Sequence, residues 1–350
     1  MSKTIEFSGR KIGSGHPCFL IAEVGTTSIG DIDRALALVD ASAEVGADAV
    51  KFQVIDPDQI SDPAAATAKM RVNGEFRDVS MAEMFARLHF EPAAWRRIAD
   101  RARERNILFF ATVDYIAGVD MLDELGVAFH KIGAWDATFW PLIDRIGRSK
   151  KPLMVDLGPA TAEEIEQIER WYSAAGGPGP IMYLHDYHTS IPAEMNMRAI
   201  DWLAARGKGP VGFSSPNRES DVDLIAVALG AQMIEKRLTL DAGDAAFHAH
   251  ESLTPAELGE WVRRIRNAEA SLGKAEIRPS RKDLEDKDRF YRSLCTLKDI
   301  PAGAAFTPEN LGGKRPGKGL TTQRLPKIWG AKAAKSLKMN TLISDADIGK

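Results

Sequence analysis

Two cysteines in 350 residues, Cys18 and Cys295, lie far apart and outside any CxxC spacing, so the chain has no disulfide framework of the secreted kind. Both sit in apolar, strand-like runs, and reduced core thiols are expected. No apolar run reaches about 18 residues, which excludes a membrane-spanning helix. The N-terminal Met-Ser-Lys-Thr-Ile-Glu lacks a signal-peptide core, so a cytoplasmic protein is the default. A net charge of −3 gives no reason to expect nucleic acid or an anionic membrane as partner. No GxGxxG follows any strand-like run, which removes the usual dinucleotide fingerprint.

At 44% hydrophobic and 27% charged, the composition is that of a globular chain long enough for one large domain and a small one. Charge is unevenly spread. Residues 281–350 carry 15 Lys and Arg against 8 Asp and Glu, whereas residues 1–280 carry 31 against 41. A basic C-terminal module beside an acidic main domain suits docking of the two, or a basic face reaching toward an anionic substrate.

The first apolar strand, Phe19-Leu-Ile-Ala-Glu23-Val-Gly25, is followed by an amphipathic helix at Ile32 to Glu44. A second strand, Ala47-Asp-Ala-Val-Lys51-Phe-Gln53, comes next. Parallel strands are buried on both faces, so a Glu or Lys at the end of such a run is costly unless it points into a site. The pattern repeats at Ile107–Asp114, Ala128–Ile132, Pro152–Gly158, Ile181–Asp186, Pro210–Ser215 and Met233–Arg237. Helical stretches intervene at Pro92–Arg105, Ala160–Tyr172, Asn196–Arg206 and Val222–Leu229, and Thr254–Leu272 follows the last strand. Cap signals mark their starts, as in Thr161 with Glu164 and Thr254 ahead of Pro255.

Eight strand-then-helix repeats in about 270 residues predict an α/β fold, a (β/α)8 TIM barrel; a doubly wound sheet is the alternative. Function in such a barrel sits at the C-terminal ends of the strands. Glu23, Lys51, Gln53, Thr112, Lys131, Ser214, Glu235 and Lys236 fall there. Residues 1–275 are thus read as the barrel and the polar stretch 276–290 as a linker. Residues 291–350, with short strand-like pieces at Ser293–Leu297 and Ala305-Phe-Thr, a Gly/Pro-rich loop and a short helix at Leu325–Trp329, read as a small β-rich domain.

The residues resemble the sialic acid (N-acetylneuraminate) synthase family over nearly the whole length. The resemblance rests on Ile-Ala-Glu23-Val-Gly, Ala-Asp-Ala-Val-Lys51-Phe-Gln53, Leu-Gly-Val-x-x-x-Lys131-Ile132, Asn196-x-Arg198-Ala-Ile and Val-Gly212-Phe-Ser214. Ala-Leu-Gly230-Ala-x-x-Ile-Glu235-Lys236, Ser252-Leu-x-Pro255-x-Glu-Leu and Ile265-Arg266-Asn267 add to it. Lys314-Arg315-Pro-Gly317-x-Gly319 resembles the antifreeze-like (SAF) domain that these synthases append. The resemblance implies condensation of phosphoenolpyruvate with an amino-sugar-type aldehyde, in a domain-swapped homodimer where Arg315 reaches the partner's pocket. It also implies that Lys51, Thr112, Lys131 and Ser214 hold the phosphate and carboxylate of phosphoenolpyruvate, with Gln53 and Lys236 beside them. Two ammoniums and two hydroxyls suit a small trianion. Glu23 and Glu235 would handle proton or water positioning. One phosphate donor is missing, since Ala134 stands in place of the family's serine, with Trp135 after it.

On the acceptor side the chain departs from the pattern. The family's two metal-binding histidines, which hold a divalent metal, usually manganese, fall on Pro216 and Arg237. Proline has no side-chain donor atom and a guanidinium offers no lone pair. The loop after strand one reads Thr27-Ser28-Ile29, that after strand six Thr189-Ser190-Ile191, and the acceptor-binding Asp falls on His248. Two accounts stay open. Arg237 takes over the metal's electrostatic work, or simply pairs with a nearby carboxylate; alternatively a divalent metal, Mn or Mg, has moved to His185, His188, His248 and His250 with Asp186 or Asp156. The expected activity is a C–C bond-forming transfer giving a nonulosonic, sialic-acid-like acid with altered acceptor and metal use. The competing reading is a non-catalytic or regulatory paralogue that binds an anionic ligand.

Overall fold

The eight apolar runs form strands that pair in chain order: β1 (Phe19–Glu23), β2 (Ala49–Val54), β3 (Leu108–Val113), β4 (His130–Ile132), β5 (Leu153–Asp156), β6 (Met182–His185), β7 (Val211–Ser215) and β8 (Met233–Arg237). Every neighbouring pair is parallel, and β8 returns to β1 to close a barrel. The computed structural model describes residues 4–62, 67–72, 75–189, 191–241, 243, 246 and 248–349; Ser190 of the loop after β6 lies outside them. The chain divides into two units, Met1–Gly273 and Lys274–Lys350.

The helices are α1 (Ile32–Glu44), α2 (Pro92–Glu104), α3 (Ile116–Leu125), α4 (Trp140–Ser149), α5 (Ala162–Ala174), α6 (Ala199–Arg206), α7 (Asp221–Ala228) and α8 (Pro255–Leu272). Each follows the strand of its own number. The starts obey their caps: Asp31 accepts from the backbone of Asp33 and Arg34, and reciprocal boxes join Thr161 to Glu164 and Thr254 to Glu257. Helix α6 begins later than its apolar pattern because Asn196 sits at φ 45°, a left-handed conformation that a helix cannot include.

Strand alternation then decides which residues face the barrel interior. Phe19, Ile21, Ala49, Phe110, Phe129, Met154, Met182, Leu184 and Met233 form one apolar cluster with Ile5, Phe7 and Ile12 of an N-terminal hairpin. Leu20, Ala22, Val50, Phe52, Ala111, Val113, Ile132, Val155, Tyr183, Phe213 and Ile234 belong to a second cluster with the helices. The first set fills the barrel interior and the second packs against the helical layer. Continuing the inward set by twos reaches Glu23, Lys51, Gln53, Thr112, Asp114, Lys131, Asp156, Asp186, Glu235 and Arg237, and on β7 Ser214 lies two after Gly212, whose missing Cβ leaves room for Met233 and Leu184. The apolar plug below leaves these as the polar end of the barrel.

Sequence patterning did not reveal two parts of the first unit. One is the hairpin Ile5–Phe7 with Arg10–Ile12. The other is an insert between β2 and α2, an antiparallel pair Thr67–Val72 with Glu75–Ser80 that leads into the helix Met81–Ala86.

The second unit opens on the helix Arg281–Phe290, so the stretch read as a linker is largely helical. Its sheet pairs Ser293–Thr296 with Leu311–Lys314 antiparallel, around Leu294, Ile300, Phe306, Leu311, Ile328 and Leu337. Cys18 and Cys295 are both buried free thiols, and burial raises the Cys18 pKa well above its usual value. Among the described residues no helix is long and apolar enough to cross a membrane.

Candidate active site

A cavity of about 600 Å³ opens at the C-terminal ends of the strands. Register brings its polar groups into rows: Glu23 lies beside Lys51 and Arg237, Thr112 beside Gln53 and Lys131, and Ser214 beside Glu235. The close approach of β1 to β2 needs Gly25, where a Cβ would stand 2.7 Å from the Gln53 backbone nitrogen. That glycine also donates its N–H to Glu23 Oε1 at 2.8 Å.

Glu235 is the hub. Its Oε1 lies 2.8 Å from Lys51 Nζ and its Oε2 lies 2.6 Å from Lys131 Nζ. Lys131 also reaches Asp156 at 2.8 Å, while Lys51 lies 3.6 Å from Glu23 and donates to Thr112 Oγ1 at 3.3 Å. Burial pushes Glu235 toward its neutral form, but Lys131 and Lys51 more than reverse this and hold its pKa well below normal. Burial likewise opposes the charge on Lys51, and Glu235 and Glu23 overcome it, so its pKa is raised. Three carboxylates, Glu23, Glu235 and Asp156, thus share two ammoniums. Glu235 has both oxygens committed to lysines.

Toward the insert, Gln53 donates to Asp114 Oδ2 at 3.0 Å. Burial and then the charge of Asp136 raise the Asp114 pKa to about 7, and burial alone raises Asp136 to about 6. Across the cavity, burial and Asp156 raise Asp186 to about 7, and Asp186 lies 3.5 Å from His188 Nε2. The His188 ring stacks on Trp135 at 4.5 Å between centroids, and Trp135 is 74% exposed. Met81, Met84 and Phe85 of the insert supply apolar wall.

Glu23, Lys51, Gln53, Thr112, Ser214, Glu235 and Arg237 line this cavity, and Lys131 is buried at its floor. Lys236 does not join them, which corrects the expectation that it binds substrate. Its neighbours Glu235 and Arg237 point inward, so alternation turns it outward. There its Nζ pairs with Asp223 at 2.9 Å and donates to Ser215 Oγ at 2.9 Å and to the Glu219 carbonyl at 3.0 Å. Asp223 also accepts from Trp261 Nε1 at 2.7 Å, so Lys236 ties β8 to α7 and α8. In the second unit, Arg315 is exposed and its Nε donates to the Phe290 carbonyl at 2.7 Å.

The histidines do not form one group. His185 faces outward, where its Nε2 lies 2.9 Å from the Met195 carbonyl oxygen. His188 and His248 line the cavity, the latter 3.4 Å from Thr26 Oγ1, and His250 lies 3.7 Å from Glu251. Burial, then Arg237 and His250, lower the His248 pKa. Among the described residues no three His, Cys, Asp or Glu side chains are grouped to hold a metal ion. At the positions where the family resemblance implies ligands, Arg237 Nη1 instead donates to the Pro216 carbonyl and to Glu251 Oε2, each at 2.9 Å. The residues present do not fit the implied metal.

Sequence reasoning passed over Asp114 and Asp136 and weighed Asp156 and Asp186 only as metal oxygens. Counting by twos from Phe110, Met154 and Leu184 would have placed Asp114, Asp156 and Asp186 in the cavity. Asp136, on a short 3-10 turn after β4, carried no such signal.

Comparison with known proteins agrees with this fold. The NeuB family model matches residues 38–277 and the SAF domain model matches residues 291–349. The chain is 31% identical to an N,N'-diacetyllegionaminic acid synthase of Campylobacter jejuni, over 93% of this chain and 98% of that one. It is 29% identical to a pseudaminic acid synthase of the same species, over 94% and 96%. A crystal structure of N-acetylneuraminic acid synthetase from Leptospira borgpetersenii in complex with citrate superposes with a TM-score of 0.71 at 28% identity. It covers 82% of this chain and 95% of that one.

Proposed function

This chain belongs to the NeuB family, and from that premise we propose that it condenses phosphoenolpyruvate with an amino-sugar-type aldehyde to give a nonulosonic acid. The observation that carries the reading is the convergence of Lys51, Lys131, Thr112 and Ser214 at one barrel mouth. Two buried ammoniums and two hydroxyls suit a small molecule bearing phosphate and carboxylate. Its oxygens compete with Glu235 and Asp156 for the same lysines.

In the proposed reaction C3 of phosphoenolpyruvate forms a bond to the aldehyde carbon, and the aldehyde oxygen becomes a hydroxyl. Water adds to C2, and the C2–O bond to phosphate breaks as the ketone forms. Glu23 suits the water-positioning role, because its side chain lines the cavity and its Oε1 is fixed by the Gly25 N–H. Arg237, lining the same cavity beside Glu23, supplies positive charge where an alkoxide would develop. We assign no step to a metal. Arg315 is proposed to complete the pocket of a partner subunit in a homodimer, and the cytoplasm is the proposed compartment.

Phosphate release from phosphoenolpyruvate against a panel of amino-sugar aldehydes, with and without manganese, tests this reading. Release with at least one acceptor supports it. Tight binding of phosphoenolpyruvate without release under any condition would favour the non-catalytic paralogue.

A further inference from the structure

Around the two buried lysines, carboxylates already outnumber ammoniums. Glu235 takes both lysines, Asp156 shares Lys131 at 2.8 Å, and Glu23 lies 3.6 Å from Lys51. Neither ammonium is idle, so an anion that uses them displaces a carboxylate. Phosphoenolpyruvate with its phosphate and carboxyl group ionised is a trianion. Among buried groups it adds charge of the sign already in excess, and such charge is poorly screened there. A proton taken up with the substrate relieves this most directly.

The partners of each carboxyl decide where that proton goes. Glu235 has a lysine on each oxygen, so the loss of one leaves the other. Glu23 keeps the Gly25 N–H. Asp186 keeps the Tyr187 N–H at 2.7 Å and His188 at 3.5 Å, neither of which the anion takes. Asp156 lines the cavity and depends on Lys131, which its Oδ2 contacts; its Oδ1 has no hydrogen-bond partner among the described residues. The charged groups facing Asp156 are Lys131 of β4, Glu235 of β8, Lys51 of β2 and, just past β6, Asp186 with His188 paired to it. Burial pushes Asp156 toward its neutral form, Lys131 and Lys51 oppose this, and Glu235 adds to it. A substrate oxygen seated on Lys131 cancels the main opposing charge. A neutral carboxyl there can donate to that oxygen, where a carboxylate would repel it.

Resting on the phosphoenolpyruvate site inferred above, we propose that Asp156 is part of that site as a neutral acid, so that the anion binds together with one proton. The proton comes from solvent and forms an O–H bond on the Asp156 carboxyl; no other bond changes.

The test is calorimetric titration of the full-length protein with phosphoenolpyruvate at pH 8, in HEPES and in Tris. A phosphate of pKa about 6 is ionised there, so the difference in heat between the two buffers counts protons taken up by the protein. About one proton should enter the wild type, and affinity should fall about tenfold from pH 8 to pH 9. Asp156→Asn is neutral at every pH; it should take up almost none and show a flat pH profile. Asp186→Asn should keep the wild-type count. Uptake near zero in the wild type overturns the proposal, whether or not either variant folds. Uptake that survives Asp156→Asn also overturns it, as does uptake lost in Asp186→Asn, which would put the proton on Asp186. Phosphate release assayed alongside separates the two proposals. Binding and release without proton uptake remove only the role of Asp156. Binding with uptake but no release from any acceptor removes only the condensation, and no binding at all removes both.

Discussion

Replacing Asp114 by Asn should stabilise the barrel, by an amount that grows with pH. The side chain is nearly isosteric, and the amide oxygen can still accept from Gln53 Nε2, which now lies 3.0 Å from Asp114 Oδ2. What disappears is the cost of ionising a carboxyl that burial and Asp136 hold at about 7. In the unfolded chain the same group titrates near 3.9. A carboxyl whose folded pKa is raised contributes stability that is fully present below about pH 4 and lost as pH rises toward the folded value, about 7. That span, at about 1.4 kcal/mol per pH unit, sets a ceiling of about 4 kcal/mol for the gain above pH 7. Urea unfolding followed by tryptophan fluorescence reports mainly on the first unit, where six of the seven tryptophans lie. Wild type and variant should coincide near pH 4, diverge through pH 5 and 6, and run parallel above about 7. A variant no more stable than wild type at pH 8, or a gain independent of pH, would refute the electrostatic account of this position.

Lys236→Met should leave Asp223 buried against Trp261 without its cation, costing about 3–5 kcal/mol in urea unfolding. Its phosphoenolpyruvate affinity should stay within about twofold of wild type; a larger change would return Lys236 to the binding site. Asp156→Asn releases Lys131 from one of its two carboxylates, and phosphoenolpyruvate, read by calorimetry, should bind about tenfold tighter. Weaker binding would mean that Asp156 orients the lysine in a way the anion needs. Turnover should survive chelator treatment, and Arg237→Ala should lose more rate than Arg237→Lys, because the proposed role is charge beside the developing alkoxide. Protein that purifies with stoichiometric manganese, or full activity in the alanine variant, would contradict that role.

The barrel was legible because parallel strands covered on both faces announce themselves as short apolar runs, and polar residues that no core would choose fall at or near their C-terminal ends. The small domain was legible in outline, and its leading helix was hidden by a charge-rich sequence that reads equally well as linker. The insert after β2, which pairs Thr67–Val72 with Glu75–Ser80, was passed over in the sequence. Glu23, Lys51 and Glu235, singled out by their place at strand ends, line the cavity, and Lys131 pairs with Glu235. Lys236 was misplaced because its neighbour's role was extended to it, although a strand turns adjacent side chains to opposite faces. Asp114 escaped, and Asp156 and Asp186 were weighed only as metal oxygens, for the converse reason. Each follows the same two-residue count, but a carboxyl at a strand end looks like ordinary solvation until the closed barrel shows what surrounds it.

Those acids bear on what kind of mouth this is. Glu23, Asp114 and Asp156 each keep a buried oxygen with no hydrogen-bond partner. Such an atom typically costs about 1–3 kcal/mol. Asn or Ser at Asp114 or Asp156 would remove the charge at little cost in shape, so stability alone does not account for them. Local rules are broken where a ligand supplies the missing partner. Phosphoenolpyruvate oxygens that take Lys51 and Lys131 release Glu235 and Asp156 from those ammoniums. The released carboxyl groups then find their donors in the other substrate or in its attacking water, so the two substrates are coupled through the same pair of lysines.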